Sequence, residues 1–334
     1  MENYQQVLLQ MAEFGIELLD KNLPLRIDTP KRVTCGKGGK DWYRLYLYRR
    51  DADKGGGEYV VGTFGTYRHG GSWRKVEVDW KPLSDAERAR MAAERAAQRA
   101  HAQAERKAAA DLAAMGAAEL LKRATREGRS PYLERKLVEG EACRYLPDGT
   151  IVIPLMRYDL PVDQRLQAVQ RILPSGQKYF TAGFEKPGCC VRLGVADATL
   201  SALLLVCEGY ATGLTLRMAT HRQHPVFVAL DAGNLAHVVP LLRALFPNSR
   251  ILVCADDDWL TKDQHTGELV NPGRTAGKAV AKQVAGCDFV WPIFRKSTRE
   301  AKDTDFNDLH MREGLGAVQA QLSGVVTAMA RRYG

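Results

Sequence analysis

The chain has 334 residues, 45% of them hydrophobic, and a formal charge of +9. That is enough for two or three domains and a sizeable core, and the basic balance points to a polyanionic partner. No apolar run reaches membrane-spanning length and no signal-peptide pattern opens the sequence, so the expectation is a cytoplasmic protein with no membrane partner.

Residues 1 to about 24 predict one packing helix, with Val7, Leu8, Met11, Phe14 and Leu18 at helical spacing. Residues 25–82 change character: Trp42 to Tyr48 and Glu58 to Phe64 alternate around Gly55-Gly-Gly57, the pattern of a small antiparallel β-module. Its aromatics interleave with arginines and lysines. Either alternate aromatics form the module's core, or they face a single strand, in which case Trp42, Tyr43, Arg44, Phe64 and Trp73 are the candidate contacts.

Residues 83–129 open on a capping-box pattern, Ser84-Asp-Ala-Glu87, and continue rich in Ala, Arg and Glu. With so little to bury before Leu112, this is an exposed helical linker; a solvated face is favoured over nucleic-acid contact along Arg88, Arg90, Arg95, Arg99 and Arg106. Gly128-Arg-Ser-Pro131 ends it. Strands and turns are expected over 150–194.

The most informative stretch is Leu203-Leu-Leu-Val-Cys-Glu208-Gly209, followed by a helical pattern to Leu216. A short apolar run that ends in an acid and a glycine predicts a buried parallel strand with Glu208 at its C-terminal edge, where open α/β sheets bind ligands. Gly209 is expected to permit a sharp turn and a close approach to the backbone. A similar run, Arg250-Ile-Leu-Val-Cys-Ala, ends in Asp256-Asp-Asp258. Carboxylates gathered at one edge repel each other and are tolerated chiefly around a hard divalent cation. Asp231 and Asn234 follow a third apolar run, within reach of such a site or as a helix cap. Residues 260–273 predict an exposed loop, Gly273 to Ala281 a small-residue helix, Gly286 to Ile293 a further strand, and residues 311–334 a closing helix.

Glu208-Gly on the first strand and Asp-x-Asp on the later one resemble the Toprim domain of bacterial primases, topoisomerases and related nucleases. EGYATGLTL, ALDAGNL, ADDD and KDTDFNDL, in that order, are most similar to the primases of plasmids, phages and integrative elements. The resemblance covers roughly residues 130–310. It implies an α/β fold: a Toprim-like parallel-sheet catalytic core preceded by a small α+β subdomain, with an N-terminal β-rich module and a helical linker. The expected domains are 1–82, 83–129, 130–198, 199–296 (Toprim) and 297–334. Pro131-Tyr-Leu-Glu-Arg-Lys136 resembles the segment that opens the family's catalytic region. Arg171, Lys178 and Tyr179 match a basic strand and a Lys-Tyr pair expected to hold template or nucleotide phosphates, and Gly209, Arg274 and Lys278 are further nucleotide-binding candidates.

The resemblance implies primer synthesis on single-stranded DNA from nucleoside triphosphates, with Mg²⁺ (or Mn²⁺) as cofactor and two-metal nucleotidyl transfer as mechanism. Glu208, Asp256 and Asp258 are the expected catalytic carboxylates and metal ligands, with Glu208 open to a general-base role instead, and Asp305 and Asp308 are additional metal candidates; Asp257 alternates away from its neighbours and supports from outside. The seven cysteines form no C-x-x-C pair and no zinc-ribbon set, so neither disulfides nor zinc are expected. No G-x-x-x-x-G-K-[ST] occurs, so unwinding is assigned to a separate replicative helicase. Two alternatives stay open: a Toprim nuclease, and a non-catalytic accessory protein that binds single-stranded nucleic acid.

Overall fold

A computed structural model describes residues 1–51, 56–68, 71–78, 85–194, 202–263, 266–297 and 299–333, with backbone alone for 85–92, 94, 95 and 330–333. Ser84 of the expected capping box and the expected boundaries at 82/83 and 198/199 lie outside these residues, as do the side chains of Arg88, Arg90 and Arg95. The chain divides into two units, Met1–Ala102 with Asp263–Gly267, and Gln103–Lys262 with Glu268–Gly334.

The first unit opens on α1 (Tyr4–Glu13). The helix is shorter than the expected 1–24 because Gly15 turns the chain at φ +90°. Ile16 then folds back under it, its N–H donating to the Met11 carbonyl. Strands β1 (Val33–Cys35), β2 (Asp41–Arg49), β3 (Glu58–Thr66) and β4 (Ser72–Lys75) form one antiparallel sheet in that order. Val7 and Met11 pack on Tyr43, Leu45, Val60 and Phe64 to make its core.

Helix α2 runs Asp85–Arg123. Residues 96–101 are exposed, as the composition predicts, but Ala113 and Ala117 are buried near its C-terminal end. Ala117 and Ala124 pack on Val152 and Val169, so the small side chains let the helix lie close on a sheet. After α3 (Pro131–Arg135), strands β5 (Arg144–Tyr145), β6 (Ile151–Met156), β7 (Leu166–Ile172) and β8 (Lys178–Phe180) form that second antiparallel sheet.

A third sheet carries the site. Its elements are β9 (Val191–Leu193), β10 (Leu203–Cys207), α4 (Tyr210–Ala219), β11 (Val226–Val228), α5 (Ala232–Leu245), β12 (Arg250–Cys254), α6 (Pro272–Gln283) and β13 (Cys287–Val290). The strand order is β13-β12-β10-β11-β9; β10, β11, β12 and β13 are parallel and β9 is antiparallel at the edge. Both faces are covered, which is why the central strands are continuous apolar runs. On β10, Leu203, Leu205 and Cys207 face one core and Leu204 and Val206 the other. The first core continues into the β5–β8 sheet through Ile151, Ile153, Leu155 and Ile172, and paired backbone bonds between Met156 and Cys190 join the two sheets. The expected C-terminal helix is two, α7 (Phe306–Glu313) and α8 (Leu315–Tyr333), broken where Gly314 takes φ +84°. All seven cysteines are free, six of them buried. Among the described residues no helix is long and apolar enough to cross a membrane.

Candidate active site

Parallel strands β10 and β12 are neighbours paired residue for residue, Cys207 opposite Cys254. The residues that follow them must therefore meet at one edge. Glu208 and Asp256 do: the Asp256 backbone N–H donates to Glu208 Oε1 at 3.3 Å. Asp258 lies at the N-terminus of α6, where its Oδ2 accepts the Gly273 N–H at 3.0 Å. Gly273 is required by space. A Cβ there would stand 2.4 Å from the Asp256 carbonyl oxygen and 2.9 Å from Glu208 Oε1.

A second acidic segment is laced to the first. The Asp257 N–H donates to the Thr304 carbonyl at 2.7 Å, which brings Asp305 alongside. Asp305 caps α7, accepting the Asp308 N–H at 2.8 Å, and its Oδ2 accepts the Thr212 hydroxyl of α4 at 3.0 Å. Asp308 closes the capping box, accepts the Thr304 N–H at 3.0 Å and pairs with Lys136 at 3.3 Å. The capping box of α7 is thus present in full, and Asp308 is held by a cation of its own.

Asp257 points away from this group, as the alternation along the chain predicts. It pairs with Arg299 at 2.9 Å and Arg274 at 3.4 Å and accepts the Asn271 amide at 2.7 Å. Arg299 lies between the rings of Trp259 and Phe294, 4.5 and 4.8 Å from their centroids, and also donates to the carbonyls of Asp257 and Asp303. It ties the two acidic segments together. The sequence carries no signal for this role, because the partners are 42 residues apart.

The acids perturb one another. Burial, above all, pushes Glu208 up to about 7; the Asp256 N–H opposes this and the charges of Asp258, Asp231 and Asp305 add to it. Burial, then the charges of Glu208, Asp305, Asp258 and Asp308, hold Asp256 well above the usual carboxylate range. Asp305 is raised by burial and by Asp308.

A hard divalent cation fits this donor set. Every donor is a carboxylate oxygen, and Asp256 Oδ1 is buried with no hydrogen-bond partner. Among the described residues no three acidic, histidine or cysteine side chains converge tightly enough to hold an ion as they are turned, so an ion there would need the carboxylates to turn inward.

The other expected site residues divide. Gly209 caps α4 at φ −98°, ordinary for any residue, so the sharp-turn argument for it fails. Its hydrogen faces Thr212 Oγ1, which a Cβ would approach to 3.1 Å. Arg274 is engaged by Asp257 and stacks 4.0 Å over Trp291, whereas Lys278, one turn further along α6, is exposed. Arg171 and Tyr179 are exposed cross-strand partners with the guanidinium 5.9 Å from the ring; Lys178 pairs with Ile172 and projects from the other face. Asp231 caps α5 and pairs with Lys186, and Asn234 is buried, holding the carbonyls of Cys189 and Ala229.

In the first unit the alternative of a solvent-facing aromatic stripe largely fails. Trp42, Tyr43 and Phe64 are buried in or against the module's own core. Arg44 lies over Tyr46, 5.5 Å from its centroid, while Trp73 is 60% exposed. The interleaved pattern left open which face was inside; α1 and the loop before β1 cover the face that carries Tyr43 and Phe64, and Trp42 on the opposite face lies under Arg32.

Residues 203–316 match the family model described as a Toprim domain. Over 232 residues the chain is 34% identical to an Escherichia coli protein named DNA primase TraC, the match covering 66% of this chain and 20% of that one. A second Escherichia coli DNA primase TraC is 31% identical over 228 residues, covering 66% and 15%. The chain therefore spans about a fifth or less of the length of these curated relatives. Among solved structures, the DnaG primase catalytic domain bound to ssDNA matches 66% of this chain and 82% of its own at 13% identity and a TM-score of 0.40. The primase fragment of the bacteriophage T7 primase-helicase protein matches 54% and 66% at 14% identity and a TM-score of 0.36.

Proposed function

We propose that this chain, whose residues 203–316 are a Toprim domain, is a DNA primase of the plasmid and phage type that synthesises short primers on single-stranded DNA. The observation that carries the reading is the meeting of Glu208, Asp256 and Asp258 at one strand edge, with Asp256 Oδ1 buried and unpartnered. The identity to proteins named DNA primase supports it.

In this reading Glu208, Asp256 and Asp258 hold Mg²⁺ or Mn²⁺, with Asp305 beside them. When bound, such cations supply charge stabilisation for in-line attack of a 3′-hydroxyl on an α-phosphate with release of pyrophosphate. The chain's own part is to position. Arg299 and Arg274 hold Asp257 so that its neighbours face the edge, and the α6 N-terminus fixes Asp258. Lys136 and Thr212 orient Asp308 and Asp305. Lys278, with Arg171, Tyr179 and Lys178, is left to meet nucleotide and template phosphates.

The test is labelled-nucleotide incorporation on single-stranded DNA with Mg²⁺. The wild type is expected to make primers, and Asp256→Asn to make none while keeping its circular dichroism spectrum. Full activity in Asp256→Asn removes the metal-site reading. Nicking of plasmid DNA by the wild type without nucleotides, and no primer synthesis, replaces the primase by a nuclease.

A further inference from the structure

We infer that the first unit carries a nucleic-acid site of its own: a basic cavity around Lys21, Arg26, Lys31 and Arg32 that takes the phosphate backbone of a single strand. It lies in the β-module but is not the aromatic stripe, most of which is core.

The cavity has a volume of about 470 Å³, within the range of nucleotide-sized clefts. Four of its lining residues are cations and, among the described residues, none is an acid. All four are exposed, and none forms an ion pair among the described residues. Two other arginines of this unit behave differently: Arg49 pairs with Glu58 and Arg68 with Asp41. Four unpaired cations around one concavity repel each other, and an anion removes that cost.

The cavity is built, not a chance grouping of flexible chains. Tyr43, buried at the base of the sheet, accepts the Arg26 backbone N–H at 3.1 Å. Ile27 bridges to Leu45, and Asp28 accepts the Leu47 N–H at 3.1 Å, so the segment that bears Arg26 is bound along β2. Arg32 is laid flat on the Trp42 indole, 3.8 Å from its centroid, which fixes one wall. The backbone that carries the charges is therefore held in place, and only the side-chain tips need adjust.

The chemistry favours a phosphodiester chain over a single small anion. The cations come from a stretch of twelve residues and line an open groove, and between them stand Pro24, Pro30 and Thr29, which offer little to a base edge. Such a groove tracks a backbone without reading sequence. That the strand is a DNA template rests on the primase reading; the site itself does not.

The experiment is fluorescence anisotropy of the full chain with a labelled single-stranded oligonucleotide across a salt series. Lys21→Glu/Lys31→Glu, in which neither side chain has a partner among the described residues, is expected to weaken binding at least about tenfold at 0.1 M salt. It should also make the log–log salt dependence shallower by about 1.4, two contacts at roughly 0.7 each. Lys37→Glu/Lys75→Glu, the same change of charge at exposed residues that do not line the cavity, should change neither by half as much. Unchanged affinity and slope in Lys21→Glu/Lys31→Glu, with an unchanged circular dichroism spectrum, overturns the inference. So does displacement of the oligonucleotide by micromolar nucleoside triphosphate, which assigns the cavity to a free nucleotide. Asp256→Asn separates the two readings: it should lose primer synthesis and keep this binding. Binding that depends on Lys21 and Lys31 in a wild type that makes no primers leaves the cavity standing and removes only the primase.

Discussion

Neutralising Glu208 should stabilise the metal-free protein while abolishing its activity. Its carboxyl is displaced from an ordinary 4.5 to about 7 by burial and by the neighbouring acids. The native state thus binds this proton more tightly than the unfolded chain does. Between about pH 4.5 and 7 it holds more protons, and stability falls as pH rises through that window. At about 1.36 kcal/mol per pH unit, the penalty fully expressed at pH 8 is about 3 kcal/mol. In Glu208→Gln the amide keeps an oxygen that can accept the Asp256 N–H and carries no charge. In chelator at pH 8, this variant should therefore melt about 6–12 °C above the wild type. At pH 5 the gap should shrink to about a quarter of that, because folded Glu208 is protonated there and only the unfolded chain has begun to ionise. Mg²⁺ should raise the wild-type melting temperature at pH 8 and do much less for the variant. A variant that melts at or below the wild type at pH 8 refutes the view that these acids are held together against their own repulsion.

Three other outcomes follow from particular contacts. Arg299→Ala leaves Asp257 buried with only the longer Arg274 pair, and should cost about 3 kcal/mol in urea unfolding, with Arg299→Lys recovering part of it; wild-type stability would contradict the tie assigned to Arg299. Gly273→Ala drives a methyl to 2.4 Å from the Asp256 carbonyl oxygen, and should cost about 1–3 kcal/mol and most primer synthesis, whereas unimpaired synthesis would show that α6 can shift freely. Phe64→Ala should destabilise the first unit by about 3–5 kcal/mol and Trp73→Ala by less than about 0.5, as read from the melting of that unit; equal effects would contradict the burial described for the two rings.

What the sequence disclosed and what it withheld have physical causes. The acidic strand edge was legible because each central strand is a continuous apolar run that stops at a charge, and parallel neighbours must end side by side. The support around it was not. Arg299 meets Asp257 from 42 residues away, and nothing local marks an arginine that will lie between two rings. Gly273 stood out only as a small residue; its need for space depends on where the Asp256 carbonyl and Glu208 fall. Helix ends were misplaced where a glycine takes positive φ, at Gly15 and Gly314, because periodicity continues through such a break. The aromatics of the β-module show the limit most plainly. Alternation distinguishes two faces of a sheet but does not name the buried one, and here Trp42 and Tyr43, on opposite faces, are both covered.

The measurement that bears most directly on the account is the anomalous scattering of a crystal soaked in Mn²⁺. The account predicts a peak at the C-terminal edge of β10 and β12, bonded to carboxylate oxygens of Glu208 and of Asp256 or Asp258 and lost in Asp256→Asn. A fully soaked crystal with no peak there, or with manganese bound only elsewhere, would contradict it.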